Sequence, residues 1–239
     1  MTSPRAFFVT GTDTDIGKTC VAAALLHAAR YQGLSTAAGK PIASGSAQTP
    51  DGLRNEDALA LQTQCCPPMA YELINPYAFE PAIAPHIAAV ETGCPLDLST
   101  LTQKMQRTLA LARDITVIEG AGGWRVPITA QTGFSDLAKA LNLPVILVVG
   151  IRLGALNHAA LTQEAIEADG LNIAGWVANI VDPYFHHHAN KSRTEENLAT
   201  LQGMMHAPCL GIVPWLTQPT PEALATYLDF SVLTTQVTH

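Results

Sequence analysis

The chain has 239 residues, 48% of them hydrophobic and 14% charged, with a formal net charge of −7. That balance builds a sizeable core and excludes disorder over most of the length, and one α/β domain spanning 1–239 is the expectation. The 13 Lys and Arg form no basic run, which speaks against a nucleic-acid surface, and no apolar stretch reaches the ~18–20 residues that span a bilayer.

In chain order, the first expected strand is Ala6–Thr10. A glycine-rich turn leads into a helix over Lys18–Gln32, stopped by Gly33. A second strand, Ser35–Lys40, precedes a long connection, Pro41–Asn55, rich in Ser, Gly, Thr and Pro. Prolines break up Gln64–Pro95. A helix over Ser99–Arg113, with Ser99 as its N-cap, leads to a strand at Ile115–Glu119. Then come strand Val145–Gly150, helix Asn157–Asp169 ending at Gly170, strand Ile173–Asn179, helix Asn190–Met205 and strand Cys209–Pro214. Runs such as TVIEG and PVILVVG are apolar almost throughout, as strands buried on both faces are. The alternation predicts an α/β fold, a doubly wound and mostly parallel sheet flanked by helices.

Cys20, Cys65, Cys66, Cys94 and Cys209 are odd in number and form no C-x-x-C pair. Reduced thiols in the cytoplasm are expected, and MTSPRAFFVTG lacks the apolar core of a signal peptide.

The strongest chemical signal is Gly11-Thr12-Asp13-Thr14-Asp15-Ile16-Gly17-Lys18-Thr19, between the first strand and the first helix. Backbone N–H groups and a helix N-terminus at such a turn hold phosphate oxygens. Lys18 would neutralise the β- and γ-phosphates and the Thr19 hydroxyl would bind Mg²⁺. The glycines stand one residue further apart than in the common phosphate-loop pattern. Glu119, ending an apolar strand before Gly120-Ala121-Gly122-Gly123, would face the same crevice and could hold Mg²⁺. A turn with a capping carboxylate is the other reading. Lys40 ends the second strand and could stabilise charge during phosphoryl transfer, or could be a solvated strand-end lysine. Asp57, in Arg54-Asn55-Glu56-Asp57, could complete a Mg²⁺ site or simply favour a helix start. His186-His187-His188 reads as a solvated loop, because three consecutive side chains cannot converge on one ion. His86 and His158 read as structural histidines, and Cys65-Cys66 as packing or a free thiol.

Taken in order, FFVTGTDTDIGKT, KPIASGS, GLRNEDALAL, NPYAF, PHIAA, VIEGAGGW, LPVILVVG, LGALNHA, GWVAN and GIVPWL resemble the dethiobiotin synthetase family over nearly the whole chain. The longer glycine spacing is that family's form of the loop. The resemblance implies a P-loop NTPase type of fold and a ligase. It would join CO2 to 7,8-diaminopelargonate with ATP and Mg²⁺, closing a ureido ring through a carbamic–phosphoric anhydride. It implies phosphate binding by Asp15, Ile16, Gly17, Lys18, Thr19 and Cys20, and Mg²⁺ at Thr19, Asp57 and Glu119. Lys40 and Lys18 would be catalytic. Glu119, Gly120, Ala121 and Gly122 would approach the nucleotide and the carbamate. Asn179 would read adenine, and Pro214, Trp215, Leu216 and Glu222 would line the base and ribose. Thr14 and Ser44 would contact substrate, as would Gly154, Ala155, Leu156 and Asn157 from the partner in a homodimer. Asp15 stands where many relatives have glutamate.

Two rival classes compete for the same residues. An amidoligase is expected to bring a glutaminase domain with a Cys-His pair, for which 239 residues leave no room. A septum- or plasmid-positioning ATPase carries an extra lysine early in the loop, and residues 11–16 contain none.

Overall fold

The computed structural model describes residues 5–186 and 191–235. In chain order the elements are β1 (Arg5–Gly11), α1 (Lys18–Tyr31), β2 (Thr36–Gly39), β3 (Ile42–Ala43), β4 (Ala47–Thr49), β5 (Gly52–Arg54), α2 (Glu56–Thr63), α3 (Tyr71–Ile74), β6 (Tyr77–Ala78), α4 (Pro85–Glu91), α5 (Leu98–Leu109), β7 (Ile115–Gly123), α6 (Phe134–Leu141), β8 (Val145–Ile151), α7 (Ala155–Ala168), β9 (Ile173–Ile180), α8 (Pro183–His186), α9 (Lys191–Met204), β10 (Cys209–Val213), α10 (Pro221–Ala225) and α11 (Ser231–Thr235). Among the described residues, no helix is long and apolar enough to cross a membrane.

Six strands form a parallel sheet in the order β10-β9-β8-β1-β7-β2. All six expected strands are in it, and both of its faces are covered. Along β1, Phe7 and Val9 enter one core while Phe8 enters the other. Along β8, Val145, Leu147 and Val149 point to the face that holds Phe8, and Ile146 and Val148 to the opposite one. This two-residue alternation, apolar on both sides, is why these strands read as continuous hydrophobic runs. The α1 residues Val21, Leu25 and Leu26 cover one face; Leu101 and Met105 of α5, with Phe134 and Leu137 of α6, cover the other.

The strand order places the site. From β1 the chain crosses to β2 at one edge, returns to β7, and then continues on the far side of β1 with β8, β9 and β10. The direction of winding reverses beside β1, and a crevice opens there at the carboxyl ends of the strands.

Several local expectations are corrected. The N-cap of α5 is Asp97, not Ser99: its carboxylate accepts from Thr100 N at 2.7 Å and from the Thr100 hydroxyl at 2.6 Å. That helix also ends at Leu109, before Arg113. The Pro41–Asn55 connection contains an antiparallel hairpin, β4–β5, and Gln64–Pro95 contains α3, β6 and α4. Helix α6 was not among the expected elements, although Phe134, Leu137, Ala138 and Leu141 follow a helical apolar spacing and are all buried. Gly33 and Gly170 end their helices at φ 78, where glycine escapes the Cβ penalty of the left-handed region. Of the histidine triplet, His187 and His188 lie outside the described residues, as does Asn190.

Candidate active site

The turn from β1 into α1 wraps around the N-terminus of the helix. Its backbone uses two left-handed residues, Asp15 at φ 54 and Gly17 at φ 81, the kind of turn in which successive N–H groups form an anion-binding concavity. A Cβ on Gly17 would collide with the Asn179 carboxamide, whose Nδ2 donates to the Ile16 carbonyl at 2.8 Å. Ile16 is fully buried and anchors the loop from below. Asp13 anchors its front: its carboxylate accepts from Thr14 N at 2.8 Å and pairs with Arg152, which follows β8.

Lys18, the first residue of α1, is buried, and its Nζ donates to the Asp13 carbonyl at 2.7 Å. Burial lowers its pKa to about 8, although Glu119 pulls the other way. Its charge is therefore held at a cost that an anion would relieve.

Lys40, Asp57, Glu119 and Thr19 converge opposite this loop. Lys40 is only 4% exposed, which removes the solvated-lysine alternative. Its ammonium bonds Asp57 Oδ2 at 3.0 Å and Glu119 Oε1. The Thr19 hydroxyl also donates to Glu119 Oε1, at 2.7 Å. Burial works to lower the Lys40 pKa, but the attraction of Glu119 and Asp57 outweighs it, and the group titrates above an ordinary lysine. Burial likewise works to raise the Asp57 carboxyl, but Lys40, with help from Thr19 and Lys18, holds it below the ordinary range. Asp57 sits in the first turn of α2, whose N-cap Asn55 accepts from Ala58 N at 3.3 Å.

Glu119 is fully buried, and its Oε2 has no hydrogen-bond partner among the described residues. A buried side-chain oxygen normally has a hydrogen-bond partner, so Oε2 retains acceptor capacity for a ligand. Hydroxyl and carboxylate oxygens are the donor types that suit a small hard cation such as Mg²⁺. The residues present therefore fit Mg²⁺, with phosphate oxygens and waters completing its shell.

A cavity of about 800 Å³ joins these groups. Its wall contains Thr14, Asp15, Gly17, Lys18, Thr19, Cys20, Lys40, Ser44, Asp57, Glu119, Ala121 and Gly122, each expected from the sequence. Ser44 Oγ is buried without a hydrogen-bond partner among the described residues. Ile16 and Gly120, also expected, are not part of the wall; a Cβ on Gly120 would meet Phe8 at 3.3 Å and Phe134 at 3.5 Å. The wall also contains Ile42, Ala43, Asn55, Ala82, Ile83, Ala84, Pro85 and Val126, which sequence reasoning did not assign to a ligand. Apolar wall residues carry no chemical signature of their own; only Asn55, inside the Arg54–Asp57 run, offered a polar clue.

Other expected residues lie apart from this cavity. Asn179 is beside the phosphate loop, with its amide donor committed to Ile16. Pro214, Trp215, Leu216 and Glu222 follow β10 and line no part of the cavity described. Gly154, Ala155, Leu156 and Asn157 form the N-terminus of α7, beside Leu153, which is 91% exposed.

A phosphate loop at the switch point of a parallel sheet, with the buried Glu119 of β7 across from it, defines a P-loop nucleotide-binding protein of the α/β class; β7 runs on through Gly123 and does not stop at Glu119 as expected. A family model described as an AAA domain matches residues 5–223. A ParA family ATPase from Chlorobium tepidum TLS has a similar fold, with a TM-score of 0.51 at 13% identity, covering 98% of this chain and 95% of that one. So does a chain of the MinC:MinD cell division protein complex of Aquifex aeolicus, with a TM-score of 0.56 at 12% identity, covering 96% and 94%. At such identity the likeness shows the fold alone.

Sequence relatives are far closer. The ATP-dependent dethiobiotin synthetase BioD of Pseudomonas aeruginosa (strain UCBPP-PA14) is 59% identical over 228 residues, 95% of this chain and 97% of its own. Those of Chromohalobacter salexigens and Cellvibrio japonicus are 54% and 51% identical, covering 92% and 97% of this chain and 93% and 98% of their own. The chain belongs to the dethiobiotin synthetase family.

Proposed function

We propose that residues 1–239 act as one ATP-dependent ligase domain that converts 7,8-diaminopelargonate and CO2 to dethiobiotin, releasing ADP and phosphate. The observation that carries this reading is the meeting of Lys18, Lys40, Thr19, Asp57 and Glu119 around one cavity. In the reaction, one amine adds CO2 and loses a proton to give a carbamate. A carbamate oxygen takes the γ-phosphoryl group and ADP leaves. The second amine attacks the carbamoyl carbon, phosphate departs, and the ureido ring closes.

Phosphoryl transfer needs placement and charge balance more than covalent catalysis. The loop Asp15–Cys20 offers N–H groups and Lys18 to the phosphates. Lys40, held cationic by two carboxylates, acts as a charge donor to the carbamate and the moving phosphoryl group and not as a base. Thr14 and Ser44 contact the diamine, and Gly120 through Gly122 let its carbamate and the nucleotide approach backbone. Thr19, Asp57 and Glu119 would hold Mg²⁺, which when bound neutralises charge on the β- and γ-phosphates. Asn179, Pro214, Trp215, Leu216 and Glu222 surround the adenine and ribose.

Gly154–Asn157 at the N-terminus of α7, where Gly154 and Asn157 are exposed, would serve a second copy of the chain in a homodimer, each copy completing its partner's substrate site. The five thiols, none in a disulfide, suit a cytoplasmic enzyme. Mass spectrometry after incubation with ATP, Mg²⁺, bicarbonate and the diamine tests the reaction. Dethiobiotin is expected, with one ADP per product. ATP hydrolysis indifferent to the diamine and bicarbonate, with no ureido product, would overturn it. Sedimentation velocity tests the dimer.

A further inference from the structure

Lys40 and Asp57 pair at 3.0 Å in the wall of the cavity but come from different segments of the chain. Between them runs the Pro41–Arg54 connection, whose second half is the hairpin β4–β5. A long connection does not by itself fix the separation of its ends. A buried polar chain does so here. Lys40 N–H donates to the Ile74 carbonyl at 2.7 Å, and Asn75 Nδ2 donates to the Lys40 carbonyl at 2.7 Å. Asn75 Oδ1 accepts from the Tyr71 hydroxyl at 2.9 Å, and that same hydroxyl accepts from Asn55 N–H at 2.8 Å. Asn55 in turn caps α2 and donates from Nδ2 to the Ser44 carbonyl at 3.1 Å.

One phenol oxygen thus joins the two ends of the connection. On one side it holds the backbone of Lys40, and on the other the start of the helix that carries Asp57. Tyr71, Asn75 and Asn55 are all buried. The Tyr71 ring is clamped by the Arg54 guanidinium, 4.2 Å from its centroid, and Arg54 is itself paired with Glu72 at 3.2 Å. Tyr71 does not line the cavity, so it touches no ligand there.

We propose that Tyr71 is a positioning residue for phosphoryl transfer, its hydroxyl setting Lys40 and Asp57 at their working separation. The proposal rests on the catalytic reading of Lys40 given above. A hydroxyl is needed because it accepts from one partner while donating to the other. Phenylalanine does neither, and it leaves a buried N–H and a buried carboxamide oxygen unpaired. The two ends then shift to find other partners, and Lys40 and Asp57 lose register.

The test is a double-mutant cycle on Tyr71→Phe and Lys40→Gln, with kcat for dethiobiotin formation, ATP affinity without the diamine, and thermal midpoint measured on all four proteins. Tyr71→Phe is expected to lower kcat by about 10-fold, the low end for groups that orient a site residue, with ATP affinity within about twofold. In the Lys40→Gln background it should cost no further kcat, while its effect on the midpoint persists. An equal fold-loss of kcat in both backgrounds, or unchanged kcat beside a lowered midpoint, would refute the positioning role. Near-normal turnover in Lys40→Gln alone would overturn the reading beneath the proposal, and it shows without any change at Tyr71. Should Tyr71→Phe fail to fold, Asn75→Ser takes its place in the cycle. It keeps the phenol and its bond from Asn55 but removes the donor to the Lys40 carbonyl. A kcat loss that vanishes in the Lys40→Gln background again supports the positioning role, and an equal loss in both backgrounds again refutes it.

Discussion

The fold holds the buried Lys18 ammonium at a cost, and replacing it by methionine exposes that cost. Its pKa, about 8 in the folded chain against an ordinary 10.5, corresponds to roughly 3 kcal/mol of destabilisation. Burial is the main cause. Below pH 8 the ammonium is charged in both folded and unfolded chains, and the full cost is present. As the pH rises from 8 toward 10.5 the folded chain releases its proton first, and the cost fades. Methionine keeps the length of the side chain without the charge. It also gives up the bond to the Asp13 carbonyl, so the expected gain at pH 7 is about 1–3 kcal/mol, using the usual worth of a charged hydrogen bond as the offset. For a domain of this size that is a rise of ~3–10 °C in Tm. Thermal unfolding of both proteins at pH 7, 8.5 and 10 is the assay. The advantage of Lys18→Met should be largest at pH 7 and shrink as pH rises. ATP affinity should fall about 30- to 1,000-fold, the scale of one charge-assisted contact at a desolvated site. A Tm equal to or below wild type at pH 7, or an advantage that grows with pH, would refute the reasoning.

Gly17→Ala should lower stability by about 2–4 kcal/mol and weaken ATP binding at least tenfold, because φ 81 disfavours a side chain and the new Cβ meets the Asn179 carboxamide. Denaturant unfolding and nucleotide titration on one preparation check both. Glu119→Gln leaves the buried Lys40 with Asp57 as its carboxylate partner; a loss of about 3 kcal/mol is expected, as for a broken buried pair, with a weaker Mg²⁺ dependence of ATP binding. Unchanged urea stability together with an unchanged Mg²⁺ titration would count against the site as drawn. Trp124→Phe removes the indole N–H bond to Asp169 Oδ2 at 2.8 Å but leaves the Arg125–Asp169 pair, so urea denaturation should show a loss of about 1–2 kcal/mol.

The sheet and the phosphate loop were legible in the sequence. Both depend on local patterns: apolar runs long enough for a strand buried on two faces, and Gly11 through Thr19 lying where a strand becomes a helix. Glu119 was legible only in part: an apolar strand running into small residues pointed to the crevice, but a turn with a capping carboxylate stayed open, and the strand in fact continues through Gly123. Short elements were less legible. Helix α5 took its cap from Asp97 and not Ser99, two capping residues close together that local propensity does not separate. The state of the charges, by contrast, emerges only from tertiary contacts. Lys40 and Asp57 each allowed a bland surface reading, because their sequence positions say nothing of burial. The fold brings β2, α2 and β7 to one point and turns a strand-end lysine into a buried cation shared by two carboxylates. The Tyr71 bridge was illegible altogether. Its partners, Asn55 and Asn75, are ordinary polar residues until the winding of the chain past β2 sets one phenol oxygen between them.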